Sequence, residues 1–91
     1  MHAVLVSVRI DADRADEAER MLRERTVPMA SSFDGFVKGY WCRAADGTRG
    51  RSTLLFDSEA AAKTATDQIV MPPGAPTTLE SVEVFEVVAE A

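Results

Sequence analysis

The chain has 91 residues, with 15 acidic and 10 basic side chains and a formal net charge of -5 when histidine is neutral. This length predicts one domain covering residues 1–91, and the negative charge argues against binding to nucleic acid or an anionic membrane. The single cysteine excludes an internal disulfide and any multi-cysteine metal site.

The start of the chain lacks the basic segment and small-residue cleavage site of a signal peptide. No apolar run approaches the roughly 20 residues of a membrane span, so we expect a cytoplasmic protein that binds no membrane.

A first strand is predicted from about His2 to Ile10, because Val4, Val6 and Val8 alternate with smaller or polar residues.

A first helix should follow, with Asp13 as its N-cap and further acidic residues in its first turn. Pro28 lacks a backbone donor and is expected to kink or restart this helix. The helix should end at Phe33-Asp34-Gly35, where Gly35 is free to adopt a left-handed conformation.

The second half of the chain predicts three strands and one helix. Strand two should run from about Phe36 to Ala44, Asp46-Gly47 should form a tight turn, and strand three should run from about Arg51 to Phe56. A second helix should begin with Asp57 or Ser58 as cap and end near Val70, and strand four should run from about Leu79 to Val88. The resulting order predicts an α+β, ferredoxin-like βαββαβ fold with a four-stranded antiparallel sheet and two helices on one face.

Two of these strands, residues 37–42 and 79–88, carry bulky residues on both faces. A sheet covered by helices on one side should instead alternate between apolar and polar residues. The chain has no further element to cover the second face, so we expect a homodimer formed through it. A slip of one residue would exchange the two faces, and the sequence therefore leaves open which of Tyr40 and Trp41 points toward the helices.

Four segments carry a resemblance to a known family. They are Val27-Pro28-Met29, Asp34-Gly35-Phe36-Val37-Lys38-Gly39-Tyr40-Trp41, Leu54-Leu55-Phe56-Asp57-Ser58-Glu59-Ala60-Ala61 and Val82-Glu83-Val84-Phe85-Glu86-Val87. With them the chain resembles the antibiotic biosynthesis monooxygenase-like domains of the dimeric α/β-barrel superfamily. The resemblance implies two sheets packed face to face as a homodimer, forming a dimeric α/β barrel, and a cavity between sheet and helices in each subunit.

Members of this family differ in chemistry. Some oxidise aromatic polyketides with molecular oxygen and neither metal nor flavin, others degrade haem, and many have no assigned activity. The haem-degrading pattern uses an Asn, a Trp and a haem-ligating His, whereas this chain has no Asn and its only histidine is His2. The polyketide-oxidising pattern also uses an Asn, together with Trp, Tyr and Arg, and of these Trp41, Tyr40 and several arginines are present.

Three residues are candidates for catalysis. Trp41 could form the wall of an aromatic pocket and donate its indole N–H, or it could fill the core or the dimer interface. Tyr40 could orient or protonate a phenolate, or place its hydroxyl at a sheet edge. His2 could act as a general base, since its ordinary pKa is ~6.5, or remain solvated at the fraying chain start.

No motif in the sequence predicts a cofactor. One His and one Cys give no zinc or iron site, and no nucleotide-binding loop is present, so we expect no metal, haem or flavin. Arg43, Arg49 and Arg51 near the hairpin could grip a carboxylate or phosphate, or guard strand edges. Two functions remain open: a cofactor-independent monooxygenase acting on an aromatic or polycyclic metabolite, and a non-catalytic small-ligand-binding or assembly module.

Overall fold

The computed structural model describes residues 1–91 and has the predicted ferredoxin-like α+β architecture. Its strands are β1 (His2–Ile10), β2 (Phe36–Arg43), β3 (Arg49–Phe56) and β4 (Thr77–Glu86). All pairings are antiparallel, and the strand order in the sheet is β2-β3-β1-β4. Its α-helices are α1 (Ala15–Met21), α2 (Val27–Ser31) and α3 (Glu59–Thr66). None of the helices has the length and apolar character needed to cross a bilayer.

The first helical segment is broken into four short pieces. A 3-10 turn, Ala12–Arg14, precedes α1, and a π turn, Leu22–Thr26, separates α1 from α2. The prediction that Asp13 is the N-cap is wrong, because the Asp11 carboxylate caps the segment by accepting the Asp13 N–H at 3.2 Å. The interruption expected at Pro28 occurs just before it, where the Val27 N–H donates to the Leu22 carbonyl five residues back.

The second predicted helix is α3, which is capped as predicted but is shorter than expected. The Ser58 hydroxyl accepts the Ala61 N–H at 3.1 Å. The helix ends at Thr66 instead of near Val70, because the following amides of Gln68 and Ile69 bond only three residues back. This tightened turn leads into a proline-containing loop, and β4 then begins at Thr77, two residues before the predicted start.

The buried core lies where β1 and β3 meet α2 and α3. Val4 and Phe56 are fully buried and Leu54 nearly so, and they pack with the small residues Ala62 and Ala65 of α3. Gly35 turns the chain from α2 into β2 at φ +78°, and a Cβ there would lie 2.5 Å from the Asp57 carboxylate. The core therefore forms around a close approach of backbone and small side chains at this end of the sheet.

The strand register settles which face each aromatic residue of β2 occupies. Trp41 pairs with Ser52, which pairs with the buried Val6, so Trp41 points toward the helices. Tyr40 pairs with Thr53 and lies on the opposite face, which no element of the chain covers and which we call the open face. Tyr40 is 57% exposed, and Phe85 on the same face is 48% exposed.

Candidate functional site

An apolar cavity of about 240 Å³ lies between the sheet and the broken helical segment. Of its 19 lining residues 13 are hydrophobic, and they include Met21, Met29 and Met71 as well as Phe33 and Trp41. Unbranched thioether side chains adapt to irregular ligand shapes, and aromatic rings offer flat contact surfaces. This lining therefore suits an apolar ligand.

A second cavity of about 400 Å³ adjoins the first toward the hairpin end of the sheet. The residues that border both cavities include Val8, Leu22, Trp41, Ser52 and Thr77. The Trp41 indole is the largest of these shared side chains, and Ser52 is its partner on β3. The Thr77 hydroxyl donates to the Met71 sulfur at 3.2 Å. A ligand in either cavity would consequently contact the same tryptophan.

The position of the indole depends on the glycine two residues before it. A Cβ at Gly39 would lie 2.8 Å from Cη2 and 2.9 Å from Cζ3 of Trp41, and 3.0 Å from a methyl carbon of Leu54. Real Cβ atoms do not approach carbon so closely, so the ring occupies space that only glycine leaves free. Gly39 thus lets the indole lie flat along β2 beneath the cavities.

The ionisable groups around the cavities form a small network. Arg25 lines the first cavity, and Glu19, Arg23 and Arg43 line the second. The Glu19 carboxylate lies 3.4 Å from Arg23 Nε and 3.4 Å from Arg43 Nη1. Glu19 and Arg23 are four residues apart, the spacing of an ion pair on one face of a helix. The signal for Arg43 was its spacing of two from Trp41, which places both side chains on one face of a strand.

The other two candidate residues lie outside both cavities. The side chain of His2 is 19% exposed, its Nε2 lies 3.7 Å from the Glu59 carboxylate, and its Nδ1 is buried with no hydrogen-bond partner. Tyr40 lies on the open face, where Lys38 Nζ is 6.0 Å from its ring centroid. The structure thus brings Trp41 to the cavities without His2 or Tyr40, and the catalytic roles of all three stay predictions.

Shifted pKa values occur away from the cavities. A hydrogen bond from the Arg14 side chain lowers the pKa of the Glu17 carboxyl, and it raises the pKa of Arg14 itself. Bonds from the Thr48 amide and then its hydroxyl lower the pKa of Asp46 in the hairpin turn. Asp46 is exposed and the other two groups are partly buried, and all three belong to local helix and turn structure, so they indicate no catalytic acid or base.

The donor set around the cavities does not fit a haem or a metal. No histidine or tyrosine lines either cavity. No group of three or more His, Cys, Asp or Glu side chains is arranged to hold a metal ion. The one thiol, Cys42, is exposed at the border of the second cavity. The expectation of no metal, haem or flavin stays a prediction.

No family model matches the sequence, and no curated protein matches it either. Solved structures do match the fold. The haem degrader MhuD from Mycobacterium tuberculosis, with two haems in its active site, is 17% identical with a TM-score of 0.77, covering 100% of this chain and 99% of MhuD. SnoaB, a cofactor-independent oxygenase from Streptomyces nogalater, is 18% identical with a TM-score of 0.72, covering 98% of this chain and 95% of SnoaB.

A third solved structure matches over nearly the whole chain. It is a monooxygenase from Streptomyces coelicolor in complex with nanaomycin D, 12% identical with a TM-score of 0.64, covering 99% of this chain and 89% of that one. The TM-scores establish a shared fold. At identities this low the chemistry has to be argued from the site. The resemblance predicted from the sequence is therefore confirmed at the level of fold: the chain has the ferredoxin-like fold of the antibiotic biosynthesis monooxygenase-like proteins.

Proposed function

We propose that this chain is a homodimeric, cofactor-independent monooxygenase-like protein that acts on an aromatic or polycyclic metabolite. The observation that carries the proposal is the pair of adjoining, largely apolar cavities that share the Trp41 indole as a wall. Ligand sites of this kind combine an apolar lining with a few polar groups that fix orientation. Here those polar groups are the indole N–H and the hydroxyl of Ser52.

The chemistry requires little of the protein. An electron-rich, deprotonated substrate can reduce molecular oxygen itself, while the protein supplies desolvation and orientation. Conversion of a ring methylene to a carbonyl balances with one oxygen molecule consumed and one water released. An apolar cavity keeps bulk water from the reactive anion, and a donor such as the Trp41 N–H would stabilise negative charge developing on a ring oxygen.

A proton acceptor is also required, and Glu19 is the only carboxylate that lines either cavity. His2 and Tyr40 border neither cavity in the single chain, so the proposal rests on Trp41 and on the groups near it. Deprotonation of the substrate by Glu19, or by water at the cavity mouth, would produce the reactive anion.

The homodimer is proposed from the open face. Tyr40 and Phe85 leave large apolar surfaces exposed there, beside the partly buried Leu5 and Leu55. Exposed aromatic side chains on an uncovered sheet face, here beside Lys38 and Glu83, mark an interaction surface. A second copy packed on it would bury on the order of 1,600 Å², as stable interfaces do.

A non-catalytic ligand-binding module is the second candidate, and one observation favours it. The first cavity has a single ionisable lining residue, Arg25, which cannot act as a base. A binding protein needs no titratable group at its ligand, whereas an enzyme of this type needs an acceptor within reach.

The test uses 1,8-dihydroxyanthrone, a phenolic tricyclic compound with a reactive methylene, and measures oxygen consumption above the uncatalysed rate. If the indole donates to developing charge, Trp41→Phe should lower turnover about a hundredfold or more, since such a bond contributes roughly 2.7–4 kcal/mol. Circular dichroism would confirm that the variant is folded. Binding of the compound with no added oxygen consumption would establish the binding module, and unchanged turnover in Trp41→Phe would remove this residue from the mechanism.

A further inference from the structure

The charges around the cavities are opposite in sign to the charge of the whole chain. The chain carries a formal net charge of -5, yet the charged side chains that line the two cavities are three arginines, Arg23, Arg25 and Arg43, and one glutamate, Glu19. A cleft of one sign with apolar walls concentrates ligands of the other sign. The local excess of positive charge therefore points to an anionic ligand.

Two of these arginines retain most of their hydrogen-bonding capacity. Arg43 and Arg23 each approach Glu19 at 3.4 Å with a single nitrogen, and neither makes a hydrogen bond to any other group. A guanidinium offers five N–H donors in a fixed fork that matches the two oxygens of a carboxylate. The side chain of Arg43 is 49% exposed, so solvent and ligands can reach it from the second cavity.

We propose that Arg43, assisted by Arg23, binds an anionic oxygen substituent of an aromatic ligand whose rings lie against Trp41. The substituent is a carboxylate or a phenolate, and Glu19 is the internal counter-ion that the ligand displaces. An anionic aromatic ligand is the substrate class of the proposed function, and the proposal rests on that function. Arg43 and Trp41 are two residues apart on one face of β2, and both border the second cavity, so a ligand can contact the ring and the guanidinium together.

This arrangement would also favour the reactive form of a phenolic substrate. A neighbouring guanidinium lowers the pKa of an acidic group because it stabilises the anion. A phenol bound beside Arg43 would therefore lose its proton at a lower pH than it does in water. The freed proton passes to water or Glu19, and the phenolate that remains is the electron-rich species that oxygen chemistry needs.

The experiment compares 2-naphthoate with its neutral analogue 2-naphthamide. Binding is followed by the NMR signal of the indole N–H, which is unambiguous because Trp41 is the only tryptophan. We expect the wild-type protein to bind the acid about tenfold more tightly than the amide, the low end for a charge-assisted bond because the arginine is half-exposed. Arg43→Gln should remove this preference and leave amide binding unchanged. Arg20→Gln, which removes the same charge from the exposed side of α1, should keep it.

Two further measurements separate specific effects from structural damage. Glu19→Gln should tighten naphthoate binding severalfold without affecting the amide, an improvement that a damaged protein would not show. For the phenolate, the absorbance of bound 2-naphthol should show its ionisation shifted to lower pH in the wild type and not in Arg43→Gln.

The proposal is overturned if acid and amide bind equally and 2-naphthol ionises as in water, while the proposed function survives because the cavities still bind aromatic ligands. It is also overturned if Arg43→Gln and Arg20→Gln weaken naphthoate alike, since the effect would then be one of overall charge. If no probe shifts the Trp41 signal, both the proposal and the proposed function fail.

Discussion

Substitution of Gly39 by alanine tests whether the space above this residue holds the indole of Trp41. The added Cβ would lie 2.8 Å from Cη2 and 2.9 Å from Cζ3 of the ring. Carbon atoms pack best at about 3.5–4.0 Å, so the ring would have to move by roughly 0.7–1 Å. The indole is rigid, and it can yield only by rotating away from β2 into the cavities.

The size of the effect follows from two opposing contributions. Forcing an extra methyl group into a packed site costs about 1–3 kcal/mol. Replacing glycine by alanine also restricts the unfolded chain, which stabilises the fold by about 0.4–1 kcal/mol. We expect Gly39→Ala to lower the free energy of unfolding by about 1 kcal/mol, equivalent to a Tm lower by roughly 4–8 °C for a domain of this size.

The assay is a double-mutant cycle with Trp41→Leu, which removes both ring atoms that the new methyl group would contact. Thermal unfolding is measured at one protein concentration, because the Tm of a dimer depends on concentration. In the Trp41→Leu background, Gly39→Ala should cost much less, because only the 3.0 Å contact with the Leu54 methyl carbon remains. Binding of 2-naphthamide should weaken in Gly39→Ala, because the displaced ring reduces the cavity volume. Equal destabilisation in both backgrounds would refute the argument that Gly39 makes room for the indole.

Two further predictions concern the open face and the N-cap of α3. Tyr40→Glu places a charge in the proposed interface and should weaken the dimer on the order of a hundredfold, as loss of an aromatic anchor does. Light scattering measures the dissociation of the dimer. A wild-type monomer at micromolar concentration would contradict the proposed dimer. Ser58→Ala removes the acceptor of the Ala61 N–H at 3.1 Å and should lower stability by about 1 kcal/mol in thermal unfolding. Ser31→Ala is the control, since the Ser31 hydroxyl donates to a carbonyl and caps no helix start, and equal losses in both variants would exclude the capping role.

The order of elements could be predicted from the sequence because β1 alternates clearly and several boundaries carry a strong local signal. Gly35 has the predicted left-handed conformation, and Ser58 caps its helix as expected. The start of the first helix was misplaced because two aspartates compete there, and Asp11 captures the amide of Asp13 two residues on. The end of α3 has no glycine or proline of its own, so apolar residues beyond Thr66 extended the predicted helix.

The candidate site was harder to predict, because it depends on register and on contacts between distant residues. A shift of one residue exchanges the faces of Tyr40 and Trp41, and the pairing of β2 with β3 contains an irregularity between Phe36 and Lys38 that no local signal announces. The ion pair between Glu19 and Arg43 joins a helix to a strand far along the chain. Sequence reasoning could identify Trp41 as a candidate, but it could not show that His2 lies beside Glu59 and away from the cavities.

The cavities exist because the two ends of the helix-covered face are packed differently. At one end, Ala62 and Ala65 of α3 allow the helix to approach the sheet closely, and Phe56 is fully buried there. At the other end, β3 presents the small residues Gly50 and Ser52 beneath a helical segment that the π turn distorts. The space between these residues and the helical segment is left unfilled. The chain thus packs one end of this face around a buried phenylalanine and leaves the other end open around Trp41, where we propose that an aromatic ligand binds.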